Sequence, residues 1–178
     1  TLFRSGGDSN FGLESTVLDL TEETPMILRP GSITKEVLEE LLGEVKLDPS
    51  LSKKEDNQKA KAPGMKYKHY SPNADVYIIS GKRENVATKI NDMIKSNRDK
   101  GLKTGVMCIS RNREFYDGEV IDLGNSLEEV ASNLFDALIE MDKKGVDVIY
   151  SEEFPKTGVG QAIMNRLLKS AGYKVIKA

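Results

Sequence analysis

The chain has 178 residues, of which 38% are hydrophobic and 30% are charged, and its formal net charge is −2. This composition is typical of a soluble globular protein, and it excludes bulk electrostatic attraction to nucleic acid or to an anionic membrane. No apolar run reaches the roughly 20 residues of a membrane-spanning helix. Cys108 is the single cysteine, so no internal disulfide can form. Because it lies in an apolar run, we predict a buried thiol and a cytoplasmic protein.

The first five residues, T-L-F-R-S, contain no initiator methionine. They match the translation of a common sequencing-adapter end. We therefore expect an open reading frame that continues upstream of Thr1.

Residues 1–47 predict two strands and one helix. Gly12–Leu20 alternates in polarity like a strand, and Met26–Pro30 is a second, shorter strand. Thr34–Leu42 predicts a helix that begins at its threonine N-cap and stops at Gly43. Its apolar face consists of Val37, Leu38, Leu41 and Leu42. So few elements cannot bury a core of their own, and we interpret them as the last third of a larger domain.

Residues 48–72 are predicted to connect two folded parts. The charged first half is typical of a solvated linker, whereas Ala62–Pro72 reads A-P-G-M-K-Y-K-H-Y-S-P and combines aromatic with cationic side chains. This content favours a strap that lies against protein or a phosphorylated ligand. Tyr67 and Tyr70 would point to opposite sides of an extended segment, although a strap without ligand contact is an equal alternative. His69 is the only histidine, so no metal site is predicted.

Residues 73–178 predict a Rossmann-like α/β domain. A capping box of Ser126 and Glu129 opens its clearest helix. Strands and helices of this length in alternation favour a mostly parallel sheet covered on both faces, in a unit that can fold alone. The strands are predicted at Ala74–Ser80, Thr104–Ser110, Val120–Leu123, Val146–Tyr150 and Tyr173–Ile176, and the helices at Glu84–Lys100, Ser126–Lys144 and Gly158–Ala171.

Two constellations are candidates for binding chemistry. Glu14-Ser15-Thr16 offers hydroxyls for an amino acid or a phosphate, and Arg29 offers a bidentate grip on phosphate oxygens. From spacing alone we favour a strand with outward polar residues and an exposed arginine. Gly158-Val159-Gly160 is similar to a dinucleotide-binding turn but has isoleucine at the third glycine position, which favours a tight loop. Asn165-Arg166 could contact a ligand or form a solvated face, and we favour the solvated face.

Four motifs in order carry a resemblance to a known family. They are G-L-E-S-T-V-L-D-L from Gly12, I-L-R-P-G-S-I-T from Ile27, the strap motif from Ala62, and E-E-F-P-K-T-G-V-G-Q-A-I-M-N-R-L-L-K-S-A-G from Glu152. With them the chain resembles the bacterial and archaeal threonylcarbamoyl-AMP synthases from about Gly6 to its end. The resemblance implies a nucleotidyltransferase that converts L-threonine, bicarbonate and ATP, with Mg²⁺, into L-threonylcarbamoyladenylate and pyrophosphate. Other proteins would transfer the product to adenosine 37 of tRNA, so tRNA would be an indirect partner.

The resemblance also implies roles for particular residues. Ser15 matches a serine that contacts L-threonine, Arg29 matches an arginine that contacts ATP, and Tyr70 matches a strap tyrosine that contacts the nucleotide. Lys66 and His69 belong to the same strap motif and are secondary candidates. Carbamate formation and attack on phosphate need positioning and charge neutralisation more than a covalent nucleophile, so no catalytic residue is predicted.

The resemblance divides the chain into three parts. Residues 1–47 would be the end of a YrdC-like twisted α/β catalytic domain, 48–72 the linker and active-site strap, and 73–178 the C-terminal Rossmann-like domain. The family's lysine/arginine phosphate-binding motif and serine-rich loop are absent from this chain, so we expect the polypeptide to be inactive by itself. The alternative is a regulatory nucleotide-sensing or partner-docking module with a passive tether.

Overall fold

The computed structural model describes residues 11–51 and 71–178. The strap candidates Lys66, His69 and Tyr70 lie outside these ranges. Within them the chain forms two sheets, one of three strands and one of five. No helix of the two ranges is long and apolar enough to cross a membrane.

The first described segment contains the smaller sheet. In order it forms β1 (Val17–Asp19), β2 (Met26–Arg29), helix α1 (Lys35–Leu42), β3 (Lys46–Leu47) and a 3-10 helix (Pro49–Leu51). β1 pairs antiparallel with β2, and β2 pairs parallel with β3. The predicted first strand is too long, because Gly12 has a φ of +64° and turns the chain before β1 begins. β3 was not predicted, since two residues show no periodicity.

The second segment is the predicted α/β domain. Its sheet has the order β6-β5-β7-β4-β8, and each neighbouring pair is parallel. The prediction of a mixed α/β fold with a mostly parallel sheet is confirmed. The elements are β4 (Asp75–Ser80), α2 (Arg83–Asp99), β5 (Thr104–Cys108), a 3-10 helix (Ser110–Phe115), β6 (Glu119–Asp122), α3 (Leu127–Lys143), β7 (Val148–Glu152), α4 (Val159–Ser170) and β8 (Val175–Lys177).

Helices cover both faces of this sheet. The connection through α2 runs along the sheet in the opposite direction to those through α3 and α4, so right-handed crossovers place the helices on opposite faces. Alternating strand residues therefore enter two apolar clusters. One contains Ile78, Met107 and Ile149 with α3 and α4; the other contains Ile79, Val106 and Cys108 with α2. The predicted buried thiol is confirmed, since Cys108 is fully buried.

The predicted capping box at the start of α3 is half right. The Ser126 hydroxyl accepts a 3.2 Å hydrogen bond from the Glu129 backbone N–H. The Glu129 carboxylate reaches back to the N–H of Asn125 at 2.5 Å, one residue before the expected donor. Its side chain packs against Gly124, where a Cβ would lie 2.4 Å from the Glu129 Cβ. The tight turn at Gly124 thus places the Glu129 carboxylate next to the N–H of Asn125.

Candidate functional site

Ser15 and Arg29 lie together at the junction of β1 and β2. The pairing sets Val17 opposite Arg29, and the Arg29 Nε donates a 2.9 Å hydrogen bond to the Ser15 carbonyl oxygen. Ser15 is exposed and Arg29 is half-buried. The structure therefore brings both candidate binding residues into one place and shows that the arginine is not simply solvated.

Gly31 allows the two strands to approach this closely. A Cβ at Gly31 would lie 2.4 Å from the Thr16 nitrogen and 2.5 Å from the Glu14 carbonyl oxygen. The Thr16 hydroxyl also donates a 2.6 Å hydrogen bond to the carbonyl of Ile33. The chain that follows Arg29 thus lies directly on the backbone that carries Ser15.

Helix α4 meets the same backbone from the other side. The Arg166 Nε lies 2.8 Å from the Glu14 Oε2, with the arginine side chain 4% exposed and the glutamate 25% exposed. Asn165 is equally buried. The prediction of a solvated face at Asn165-Arg166 is therefore wrong. The two side chains are buried because α4 is covered on most sides. Eight residues of this helix are buried: Gly160, Ala162, Ile163, Met164, Asn165, Arg166, Leu167 and Ser170.

Two further hydrogen bonds join the first segment to α4. The Gly158 N–H donates to the Glu36 Oε1 at 3.1 Å, and the Asn165 Nδ2 donates to the Leu51 carbonyl at 3.4 Å. Hydrogen bonds from its own backbone N–H and from Gly158 lower the pKa of Glu36. An internal carboxylate thus occupies the helix N-terminus where a dinucleotide phosphate would sit. The tight-loop interpretation fits this geometry, because Gly160 packs on the Pro155 carbonyl.

Positive charge is concentrated near Ser15. Burial, followed by the charge of Arg166, lowers the pKa of Lys169 to about 8, while Glu14 raises it and Arg29 lowers it further. Lys169 therefore lies within electrostatic range of Arg166, Arg29 and Glu14, which places three cations and one carboxylate in this region. Such a site suits a ligand that carries carboxylate or phosphate groups. Sequence reasoning named Glu14 within the Glu14-Ser15-Thr16 constellation but gave it no partner, and it missed Lys169. The apolar run on both sides of Asn165-Arg166 was the available signal that this face of α4 is buried.

The described residues form a two-part α/β protein. A domain with a parallel sheet contacts a small three-stranded sheet, and Ser15 and Arg29 lie where β1 and β2 of that small sheet meet. The sequence profile described as threonylcarbamoyl-AMP synthase, C-terminal domain, matches residues 33–172. The chain therefore belongs to the threonylcarbamoyl-AMP synthase C-terminal domain family.

Similar proteins extend beyond this chain. The threonylcarbamoyl-AMP synthases of Pyrococcus abyssi and Bacillus subtilis are 46% and 42% identical to it, in each case over 97% of this chain and 49% of the relative. The crystal structure of P. abyssi Sua5 complexed with L-threonine matches with a TM-score of 0.89 and 45% identity, over 97% of this chain and 50% of that one. The chain thus spans about half the length of the relatives it matches.

Proposed function

We propose that this chain is the C-terminal half of a threonylcarbamoyl-AMP synthase. The enzyme would convert L-threonine, bicarbonate and ATP into L-threonylcarbamoyladenylate and pyrophosphate. The juxtaposition of Ser15 with Arg29 through a 2.9 Å hydrogen bond carries the proposal. The names of the curated relatives and the L-threonine complex of a similar structure support it.

Each proposed binding residue has a separate task. The exposed Ser15 would contact L-threonine, and the Arg29 guanidinium would neutralise charge on the ATP phosphates. The threonine nitrogen would first attack the carbon of bicarbonate, and a C–O bond would break so that water leaves and a carbamate forms. A carbamate oxygen would then attack the α-phosphorus, and pyrophosphate would leave with the electrons of the broken P–O bond. Tyr70, on the strap of residues 62–72, would contact the nucleotide. The tRNA would meet the product only through other proteins.

Mg²⁺ would accompany ATP rather than occupy a protein cage in this part of the chain. Residues 11–51 and 71–178 contain no group of three or more histidine, cysteine, aspartate or glutamate side chains that could hold a metal ion. Mg²⁺ commonly binds through substrate phosphates and one or two carboxylates. We therefore assign no magnesium ligand within residues 11–51 and 71–178.

The first segment, residues 1–47, would complete a YrdC-like catalytic domain, and 73–178 would form the C-terminal domain. Exposed apolar side chains on the first segment support this division: Leu20 is 64% exposed and Leu41 of α1 is 76% exposed. Both side chains would be covered if the first segment packs against the rest of a larger domain. Leu41→Glu should leave the unfolding free energy of this chain within about 0.5 kcal/mol and destabilise the complete protein by more.

Pyrophosphate release tests the proposed function. We expect the protein from the complete reading frame to release pyrophosphate only when ATP, L-threonine and bicarbonate are all present. The 178-residue chain alone should release none. Ser15→Ala in the complete protein should raise the KM for L-threonine, with Ser32→Ala as a matched control at a neighbouring exposed serine. Pyrophosphate release that does not depend on L-threonine would refute the proposal.

A further inference from the structure

The buried ion pair between α4 and the first segment suggests a task for the C-terminal domain. We propose that Arg166 is a positioning residue, which fixes the backbone of Ser15 through Glu14 and thereby sets the direction of Arg29. This inference rests on the proposed function, because Ser15 and Arg29 are its threonine-contacting and ATP-contacting residues.

An unbroken series of contacts connects the four residues. The Arg166 Nε lies 2.8 Å from the Glu14 Oε2, and Glu14 is bonded to Ser15 through one planar peptide group. The Ser15 carbonyl then accepts the 2.9 Å hydrogen bond from the Arg29 Nε. The Ser15 carbonyl belongs to the next peptide group, so it is separated from the Glu14–Ser15 peptide only by the Ser15 Cα. A shift of Glu14 would therefore move the Ser15 carbonyl and reorient the arginine.

Arg166 is suited to act as the fixed end of this series. Its helix is anchored by apolar side chains that are at most 3% exposed, namely Ala162, Ile163, Met164 and Leu167. A side chain on such an element is held more precisely than one on a loop. The residue before Glu14 is held as well, since Leu13 lies in the same apolar cluster as α3 and α4.

The chemistry of the ion pair explains why its loss would change the geometry of the site. A buried guanidinium that loses its carboxylate keeps its charge away from water, so the surrounding backbone shifts to compensate. A misplacement of about 1 Å can lower catalysis about 100-fold. The first segment would stay folded while the backbone from Ser15 into β1 opens more often, so the effect should be on substrate geometry rather than on the presence of the fold.

Steady-state kinetics of the complete enzyme test the inference. We expect Arg166→Gln to raise the KM values for L-threonine and ATP about tenfold or more. Arg166→Lys should recover part of this, because it keeps the charge but not the planar fork. Glu14→Gln should resemble Arg166→Gln, and the double variant should be no worse than either, since both act through one contact. The matched control is Lys174→Gln, which breaks the 2.5 Å pair with Asp75 elsewhere on the domain.

Amide hydrogen exchange in the 178-residue chain provides a readout without activity. Arg166→Gln should accelerate exchange at Thr16–Leu18 and leave β4 to β8 unchanged. If Arg166→Gln does not fold, the same measurements on Glu14→Gln, a substitution on the first segment, test the inference. If the complete wild-type enzyme is active, unchanged KM values and unchanged hydrogen-exchange rates in these variants would overturn the inference. A loss of kcat in proportion to the folded fraction, at constant KM, would overturn it too. An inactive complete wild type would instead refute the proposed function, and the inference with it.

Discussion

The Nε of Arg29 donates a hydrogen bond to the carbonyl oxygen of Ser15, fourteen residues earlier in the chain. The bond ends on backbone, so the geometry of the pair depends on how β1 and β2 are placed rather than on the identity of residue 15. Substitutions that move the two strands should therefore disturb the site without altering either residue.

Gly31→Ala is the sharpest such substitution. The new Cβ would lie within 2.6 Å of three backbone atoms of residues 14–16, and backbone cannot move aside as a side chain can. We expect a loss of about 1–3 kcal/mol in the free energy of unfolding. Urea denaturation with Ser32→Ala as the exposed control measures it. A Gly31→Ala chain as stable as the wild type would contradict the packing described for this junction.

Lys169→Met should stabilise the chain more at pH 7 than at pH 10. Burial, then the charge of Arg166, lowers the pKa of Lys169 to about 8, whereas an unfolded lysine titrates near pH 10.4. Between these values the unfolded state binds more protons, so stability rises with pH, and the cost of burying the charge is complete below pH 8.

Urea unfolding of both chains at the two pH values checks this prediction. Lys174→Met is the control, because a hydrogen bond from Lys174 to Asp75 raises the pKa of that exposed lysine. We expect no gain from it at pH 7. Equal gains from Lys169→Met at pH 7 and pH 10 would show that charge burial is not the cause.

Tyr116 should make the protein sensitive to alkali. Burial, then the hydrogen bond from its hydroxyl to Glu152 at 2.5 Å, raises the pKa of Tyr116 well above that of a free tyrosine. An unfolded tyrosine loses its proton near pH 10 while the native one keeps it, so stability is complete below pH 10 and falls above it.

The slope for this one group would approach about 1.4 kcal/mol per pH unit above pH 10. Tyr116→Phe should flatten it and cost about 1–3 kcal/mol at pH 7, because Glu152 loses a donor. Denaturation curves from pH 7 to 11 measure both effects. An unchanged alkaline slope in Tyr116→Phe would rule out this tyrosine as the source.

Cys108 should resist thiol reagents in the native protein. Burial, then the charge of Glu152, raises the pKa of Cys108 to about 12, and its side chain is fully buried. Both thiolate formation and access are therefore suppressed. We expect no labelling by iodoacetamide at pH 8 and complete labelling in guanidinium. Ser32→Cys, at an exposed position, should be labelled in the native state.

The sequence predicts the parallel domain well because its strands leave long apolar runs between clear turn residues. β5, for example, is buried along its whole length, and Ser126 caps α3 as expected. β3 and the 3-10 helix from Pro49 to Leu51 could not be found in this way. They are too short for a period, and contacts distant in sequence hold them in place.

The same distinction between local sequence patterns and contacts distant in sequence applies to the candidate site. Ser15 and Arg29 could be named from a motif, and the structure brings them together. The ion pair of Glu14 with Arg166 joins positions far apart in the sequence, and neither local spacing nor helical periodicity encodes it. An arginine on a helix is usually solvated, whereas this one is buried with Glu14 of the first segment against it.

Leu13 shows that the two segments share one apolar cluster. It precedes the linker by more than thirty residues, yet it belongs to the apolar cluster of the parallel domain, and Phe11 packs beside it. A polypeptide trimmed to begin at Asn73 would expose that part of the apolar cluster to water. Calorimetry of the full chain should accordingly show one melting transition shared by both segments. A linker in the sequence need not mark the boundary between units that unfold separately.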